Sequence, residues 1–230
     1  LNSIRLYNVK FGEKYGEMII ACDDKNYWRK SIFPYYKAHR KADREKSPLD
    51  WNNIFSILNK IRDELKETFP WKVIQVDTAE ADDIIATLCN RFGKTLKAED
   101  DIDILIISGD KDFAQSQKYA NVEQYSPVTK KWIRISNPES FLREHIMRGD
   151  RGDGVPNFLS ADNVIVVGAR QKPLASKKIE KWVSLDPKDF CNEVMLRNYK
   201  RNESLVNLAL IPSAIVNQIN EKYDNYKIPP

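Results

Sequence analysis

Three short apolar runs, each broken off at an acidic residue, constrain this chain more than any other feature. "EMIIACDD" ends at Asp23-Asp24, "WKVIQVD" ends at Asp77, and "DILIISGDKD" passes through Ser108-Gly109 into Asp110 and Asp112. Runs of this length suit buried strands, and the segments between them have helical spacing. In "NIFSILNKIRDELKETF", Ile54, Ile57, Leu58, Ile61 and Leu65 recur at three- and four-residue steps, and "AEADDIIATLCNRF" reads as a second helix. "KDFAQSQKY" reads as helix after the third strand, and "VEQYSPVTKKWIRIS" as strand, turn and returning strand. Strands alternating with helices predict a mostly parallel sheet with right-handed crossovers. From Pro138 onward the pattern is helical, through "PESFLREHIM", "SKKIEKWVS", "PKDFCNEVMLRNYKR" and "SAIVNQINEKYDNY". The expectation is an α/β domain over 1–137 and a helical region over 138–230.

With 230 residues, 42% of them hydrophobic, the chain can bury a sizeable core. No apolar stretch approaches the roughly 20 residues of a membrane span, and no secretory signal opens the chain. Cys22, Cys89 and Cys191 lie far apart, which supports neither a disulfide framework nor a zinc site and makes a reducing, cytoplasmic setting the expectation. The excess of 37 basic over 33 acidic residues is small, but the charges fall in blocks. Arg29, Lys30, Lys37, His39, Arg40, Lys41, Arg44 and Lys46 form one basic segment, and Arg170, Lys172, Lys177, Lys178 and Lys181 a second. The acids gather at Asp23-Asp24, Glu80 to Asp83, Asp110/Asp112 and Asp150/Asp153. This is an acidic centre with basic arms.

Taken singly, each acidic cluster has an ordinary explanation. Asp23 suits a turn, Asp77-x-x-Glu80 a capping box, Asp110 and Asp112 the cap of the next helix, and Asp150 and Asp153 a polar loop. Taken together they suggest more, because residues just past the carboxyl ends of parallel strands converge on one edge of the sheet. Two carboxylates about 5 Å apart at an effective dielectric near 20 repel by roughly 3 kcal/mol, so a gathering of six calls for cations. Hard oxygen donors, with His39 and His145 outside the clusters, point to Mg²⁺ or Mn²⁺. Such ions commonly serve phosphoryl chemistry, and the basic segment offers an approach for a phosphodiester.

"VDTAEADDIIATL", "LIISGDKDFAQ" and "MRGDRGDGVPN", in this order and approximate spacing, resemble the 5′ nuclease (flap endonuclease) family. "YWRKSIFPYYKAHRKADREK", "SPVTKKWIRI" and "YDNYKIPP" are similar to its bacteriophage ribonuclease H branch. The resemblance covers essentially the whole chain. It implies a PIN-like nuclease domain with an arch at about 26–50, followed by a helix-hairpin-helix-type DNA-binding region. It also implies Mg²⁺-dependent (two ions, Mn²⁺ as substitute) 5′-3′ removal of RNA primers and 5′ flaps during replication. By motif, Asp23, Glu80, Asp82 and Asp110 correspond to the first metal site, with Asp83 as an accessory acid. Asp112, Asp150 and Asp153 correspond to the second site, partly through water. Arg29, Lys37 and Arg40 match basic residues near the scissile phosphate or on the arch, and Tyr36 an aromatic that stacks on a base. Arg170, Lys172, Lys177 and Lys178 are then candidates for duplex phosphates. The partners implied are DNA and RNA/DNA hybrids with 5′ ends or flaps, and replication proteins such as a single-stranded-DNA-binding protein. A monomer in the host cytoplasm, with no membrane, completes the expectation.

The sequence departs from the family pattern in three places. No aspartate-bearing strand precedes Asp23, which leads to the expectation of a sheet lacking its central strand and of a metal lacking one ligand. "GVPNFLSADNVIVVGARQKPLASKKIEKW" keeps Gly154-Val155-Pro156 but not the paired glycines of the usual hairpin. The chain also ends at Pro230, where the phage relatives continue. Two other readings stand beside the nuclease: a weakly active or inactive nucleic-acid-binding fragment, and an Asp-nucleophile phosphohydrolase suggested by Asp110-x-Asp112.

Overall fold

The computed structural model describes residues 1–96, 98 and 102–229. In chain order the elements are α1 (Asn2–Tyr15), β1 (Ile19–Cys22), α2 (Arg29–Ile32), α3 (His39–Glu45), α4 (Trp51–Thr68), β2 (Lys72–Gln75), α5 (Ala81–Phe92) and β3 (Ile104–Ile107). A 3-10 segment, Lys111–Lys118, leads to β4 (Val122–Ser126) and β5 (Lys131–Ile133). Then come α6 (Pro138–Arg148), α7 (Ser176–Trp182), α8 (Pro187–Phe190), α9 (Glu193–Val206), a short 3-10 turn at Leu208–Leu210, and α10 (Ser213–Asp224).

The chain folds into two compact units that are not sequential. One, mixed α/β, holds 1–26, 50–134 and 211–230; the other, helical, holds 27–49 and 135–210. The linear pattern did not show that the basic segment joins the helical unit, or that α10 returns to pack on α5 and β2.

In the α/β unit the strands form two separate sheets among the described residues. β1 pairs in parallel with β2, Ile19 opposite Lys72 and Cys22 opposite Gln75. β3 pairs in parallel with β4, and β4 in antiparallel with β5. The parallel pairing expected from the strand–helix alternation is present, with α4 carrying the chain from β1 toward β2. Val73 and Ile74 of β2 are buried, and Leu65, Trp71 and Val73 form a core cluster with Ile4, Met18, Ile20, Cys22 and Phe69 around them. β1 and β3 are all apolar, yet their residues are mostly only half-buried. The apolar stripe expected to seat α4 behaves differently along its length. Leu65 is buried, whereas Ile57, Leu58 and Ile61 are 47%, 54% and 36% exposed. α4 is therefore anchored by its last turns, with Asp50 capping its start by accepting from the Asn53 N–H. The segment after β3 is 3-10 rather than α-helical. Phe113, Ala114, Gln115 and Ser116 are buried in succession within it.

The helical unit has its own core, in which Phe33, Tyr36, Ile146, Met147, Val155, Phe158, Ile179 and Tyr199 come together. "PKDFCNEVMLRNYKR" breaks into α8 and α9 because the Asn192 side chain accepts from the Met195 N–H and starts a new helix. Two buried asparagines on α9 hold the irregular chain after α6. Asn202 Nδ2 donates to the carbonyls of Ile146 and Pro156, and Asn198 Nδ2 to those of Phe158 and Ser160. Asp162 pairs with Arg197 and Arg201, tying the next turn to the same helix. Replacing Asn202 by Ala removes the side-chain donor to the Ile146 carbonyl and one of two donors to the Pro156 carbonyl, which keeps Arg201 Nη2 at 3.2 Å. An unsatisfied buried carbonyl costs about 1–3 kcal/mol. Urea unfolding of Asn202→Ala is expected to show a loss of about 2 kcal/mol or more, larger than that of an exposed Asn→Ala such as Asn59→Ala.

Candidate metal centre and nucleic-acid interface

Six of the eight acids proposed from sequence lie in the α/β unit, and the fold places them at strand exits and helix starts. β1 ends at Cys22, and the exposed Asp23 follows. Asp23 Oδ1 accepts from the N–H of Ala81, the first residue of α5, at 2.7 Å. Gln75 Nε2 donates to the Asp23 carbonyl at 3.2 Å, so the ends of β1 and β2 are tied together here. Asp24 completes the junction: its N–H donates to the Ala79 carbonyl, and its Oδ2 accepts from Thr78 and Asn26. Burial raises the Asp24 carboxyl, but the Thr78, Asn26 and Lys25 N–H groups outweigh it and leave the pKa below the usual range. Thr78 sits at φ +62, an uncommon conformation for a β-branched residue, and its N–H bond to Asp24 helps to hold it there.

The capping box expected at Asp77/Glu80 is found one step along. Glu80 is the N-cap of α5; its side chain accepts from the Asp83 N–H, while Asp83 Oδ2 accepts from the Glu80 N–H at 2.9 Å. Both side chains are buried, Asp83 completely, whereas Asp82 stands half-buried on the first turn. At the end of β3, Asp110 caps the 3-10 segment by accepting from the Asp112 N–H at 3.0 Å. The buried Gln124 fixes this exit by donating to the carbonyls of Ser108 and Asp110 at 3.0 and 2.6 Å. Lys111 is exposed and Asp112 half-buried. The sequence thus located these acids correctly beyond their strands. Among the described residues of this unit, however, no three of them bring ligand oxygens within 4.8 Å of one another. Repulsion within one tight cluster is therefore not what this unit shows; helix N-terminal N–H groups stabilise the anions instead. The donor set is still all carboxylate, and among the described residues Asp23 Oδ2 accepts no hydrogen bond, which suits a hard divalent ion.

Asp150 and Asp153 lie in the helical unit, in the loop that follows α6. Gly149 ends that helix at φ +65, and a Cβ there would lie 2.4 Å from the Val155 carbonyl oxygen. Asp150 Oδ1 accepts from the Asp153 N–H, and the Val155 N–H returns to the Asp150 carbonyl. His145, which the sequence reading set apart from the acids, is buried with Nε2 3.7 Å from Asp150 Oδ2. The one available signal was its place in the last turn of α6, five residues before Asp150.

Asp153 faces the basic segment. Its Oδ2 accepts from Tyr36 Oη at 2.8 Å, and its Oδ1 from Arg40 Nη2 at 2.7 Å, with Lys37 Nζ 3.5 Å away. Burial pushes the Asp153 carboxyl up, against the Lys37 charge, the Tyr36 hydroxyl and the Arg40 charge. Two residues expected to meet nucleic acid are turned inward and correct the sequence reading. Arg29 is 3% exposed, its Nε donating to the Leu205 carbonyl near the end of α9, where a cation is favoured. Tyr36 is also 3% exposed, packed in the core of its unit with its hydroxyl on Asp153. Arg170, Lys172, Lys177 and Lys178 are all exposed. The stretch before them replaces the expected hairpin by consecutive turns from Asp162 to Gly168, closed by Gly168 at φ +69.

A family model described as the N-terminal, resolvase-like domain of 5′-3′ exonucleases matches residues 5–145. The chain belongs to the 5′-3′ exonuclease family. Ribonuclease H of Enterobacteria phage T4 is 35% identical over 241 residues, covering 100% of this chain and 77% of its own. Flap endonuclease Xni of Shewanella sp. (strain MR-4) is 31% identical over 148 residues, 61% of this chain and 51% of that protein. The fold is also that of the T5 D15 protein crystallised with metal ions, with a TM-score of 0.65 at 15% identity over 97% of this chain and 90% of that one. A DNA and metal-ion complex of the T5 D15 flap endonuclease matches with a TM-score of 0.62 at 17% identity, over 97% and 89%. The chain is thus a PIN-like mixed α/β member of a nuclease family.

The α5 start separates structural from chemical acids. Asp83→Ala is expected to lower stability by about 2 kcal/mol with or without Mg²⁺, since the buried Glu80 N–H loses its acceptor. Asp23→Asn, at an exposed site, is expected to leave the melting temperature nearly unchanged without metal. Thermal melts in EDTA and in Mg²⁺ compare the two.

Proposed function

We propose that the chain is a divalent-metal-dependent 5′-3′ nuclease that hydrolyses phosphodiesters of RNA/DNA hybrids, RNA primers and 5′-flapped DNA during replication. The observation that carries this reading is the similarity to a ribonuclease H along 100% of the chain. The flap endonuclease relatives and the fold shared with metal- and DNA-bound T5 structures support it. Residues 1–137 would serve as the nuclease part and 138–230 as the DNA-binding part. The protein would act as a monomer in the host cytoplasm, alongside replication proteins such as a single-stranded-DNA-binding protein. No described helix is long and apolar enough to cross a membrane.

Asp23, Glu80, Asp82, Asp110 and Asp112 are the proposed metal-holding carboxylates, with Mg²⁺ as the ion and Mn²⁺ as a substitute. Bound there, the ions would supply Lewis-acid activation of water and stabilisation of the leaving oxygen. The work of the chain's own residues is orientation. The N–H of Ala81 fixes the rotamer of Asp23, the N–H of Asp112 that of Asp110, and the Gln124 amide the backbone that carries Asp110. Lys37 and Arg40 would take the phosphate backbone near the cut. Arg170, Lys172, Lys177 and Lys178 would grip the flanking duplex by charge, which makes binding fall steeply with salt.

A 5′-flap duplex and an RNA/DNA hybrid, each labelled at the 5′ end, test the reading. Cleavage is expected in Mg²⁺, none in EDTA, and Asp110→Asn should reduce turnover roughly 100-fold or more. Equal cleavage in EDTA, or in Asp110→Asn, overturns the metal mechanism. A second reading is nucleic-acid binding with weak or no hydrolysis. It predicts retained affinity for the flap duplex with little or no product in either Mg²⁺ or Mn²⁺.

A further inference from the structure

The contacts around Asp153 carry an inference about how the basic segment is set. Three consecutive residues, Gly152, Asp153 and Gly154, hold the turn Tyr35–Arg40 through backbone and side chain together. The Lys37 N–H donates to the Asp153 carbonyl at 2.7 Å, and Arg40 Nε to the Gly152 carbonyl at 3.0 Å. Gly154, at φ +75, leaves no space for a side chain, since a Cβ would lie 2.9 Å from the Tyr35 carbonyl oxygen and 3.1 Å from His39 Nδ1. Lys37 itself sits at φ +53, a conformation that costs a non-glycine residue energy and persists only where its surroundings enforce it. Its side chain is only 11% exposed, and its Nζ lies 5.1 Å from the ring centroids of both Tyr27 and Tyr36. A single carboxylate thus meets a phenol, an ammonium and a guanidinium, and each of its two oxygens already has a cationic or hydroxyl partner.

We infer that Asp153 is a positioning residue for the cations Lys37 and Arg40: its carboxylate sets their spacing, and they in turn meet the phosphate backbone. This goes beyond a ligand role for Asp153 at a metal, and its nucleic-acid half rests on the nuclease reading above. Removing the charge in Asp153→Asn, without emptying space, takes the opposite charge from Arg40 Nη2 and Lys37 Nζ, so that the Lys37–Arg40 turn is left with its bonds to the Gly152 and Asp153 backbone carbonyls. Asp153→Glu retains the charge and should recover part of the effect.

Two readouts decide it. In hydrogen exchange without nucleic acid or metal, Asp153→Asn should speed exchange of the amides at residues 35–40 about tenfold relative to wild type. In fluorescence anisotropy with a 5′-flap duplex in EDTA, Asp153→Asn should weaken binding about tenfold, equivalent to about 1.4 kcal/mol. That loss should vanish when Asp153→Asn is made in a Lys37→Met, Arg40→Gln background. Unchanged protection at 35–40, or a loss of affinity that persists undiminished in the double-cation variant, overturns the inference. A lowered Mn²⁺ affinity with unchanged exchange also overturns it, in favour of a ligand role. Failure of the wild-type protein to bind the flap duplex overturns the nucleic-acid half along with the nuclease reading. The exchange measurement then decides the positioning role alone.

Discussion

A carboxylate that folding removes from water must find partners of opposite charge or strong donors, and in this chain Asp153 organises a whole segment by doing so. Tyr36, Lys37 and Arg40 lie more than a hundred residues before it, and all converge on its two oxygens. The same loop also takes the Lys37 N–H at the Asp153 carbonyl, a backbone bond that holds the positive-φ turn at Lys37. It also explains why the segment 27–49 belongs with 135–210 rather than with its neighbours in sequence. The energetic weight of such a cluster lies less in its net stability than in the cost of breaking it, which would strand a charge in a poorly hydrated place.

The acids of the α/β unit, Glu80 and Asp83 buried but Asp23 and Asp110 exposed, take backbone donors instead of cations. Asp23, Glu80, Asp83 and Asp110 each accept from a backbone N–H at the start of a helical segment. Caps of this kind give a carboxylate oxygen a backbone donor without any cation. The ordinary explanation and the catalytic one are therefore compatible for Asp23 and Asp110. A cap uses one oxygen and fixes the rotamer, and among the described residues the other oxygen of each accepts no hydrogen bond. For Asp83 they are not: fully buried, with Oδ2 on the Glu80 N–H, it supports the geometry of α5 rather than reaching out from it.

What was legible in the sequence followed from local pattern. The β1, β2 and β3 strands lie inside the three apolar runs, and the acids fall beyond their ends because an apolar run has to stop where the chain leaves the core. The α5 capping box was legible in kind but misplaced, since Asp77, Glu80 and Asp83 all satisfy the same spacing. Arg29 and Tyr36 were not legible. Their fates depend on Leu205 and Asp153, contacts 176 and 117 residues away, and a count of local charge registers only that a basic run exists. The same holds for α4, whose apolar spacing is sound for a helix but whose middle turns are left exposed. Periodicity reports that a face exists; what covers it is decided elsewhere in the chain.

A division of labour follows within the basic residues themselves. Arg29 is committed to a backbone carbonyl and Lys37 to a carboxylate and two aromatic faces, while Arg170, Lys172, Lys177 and Lys178 remain in water. Exposed lysines recognise phosphate as diffuse charge, at a strength set by salt and with little regard to shape. A cation held by a buried carboxylate is different: its position is fixed before any ligand arrives, so less conformational entropy is lost when it binds. In a protein that must act on one phosphodiester among many, the exposed group would supply affinity. The cations tied to Asp153 would supply register, which is why the fold commits so many contacts to the short turn that carries them.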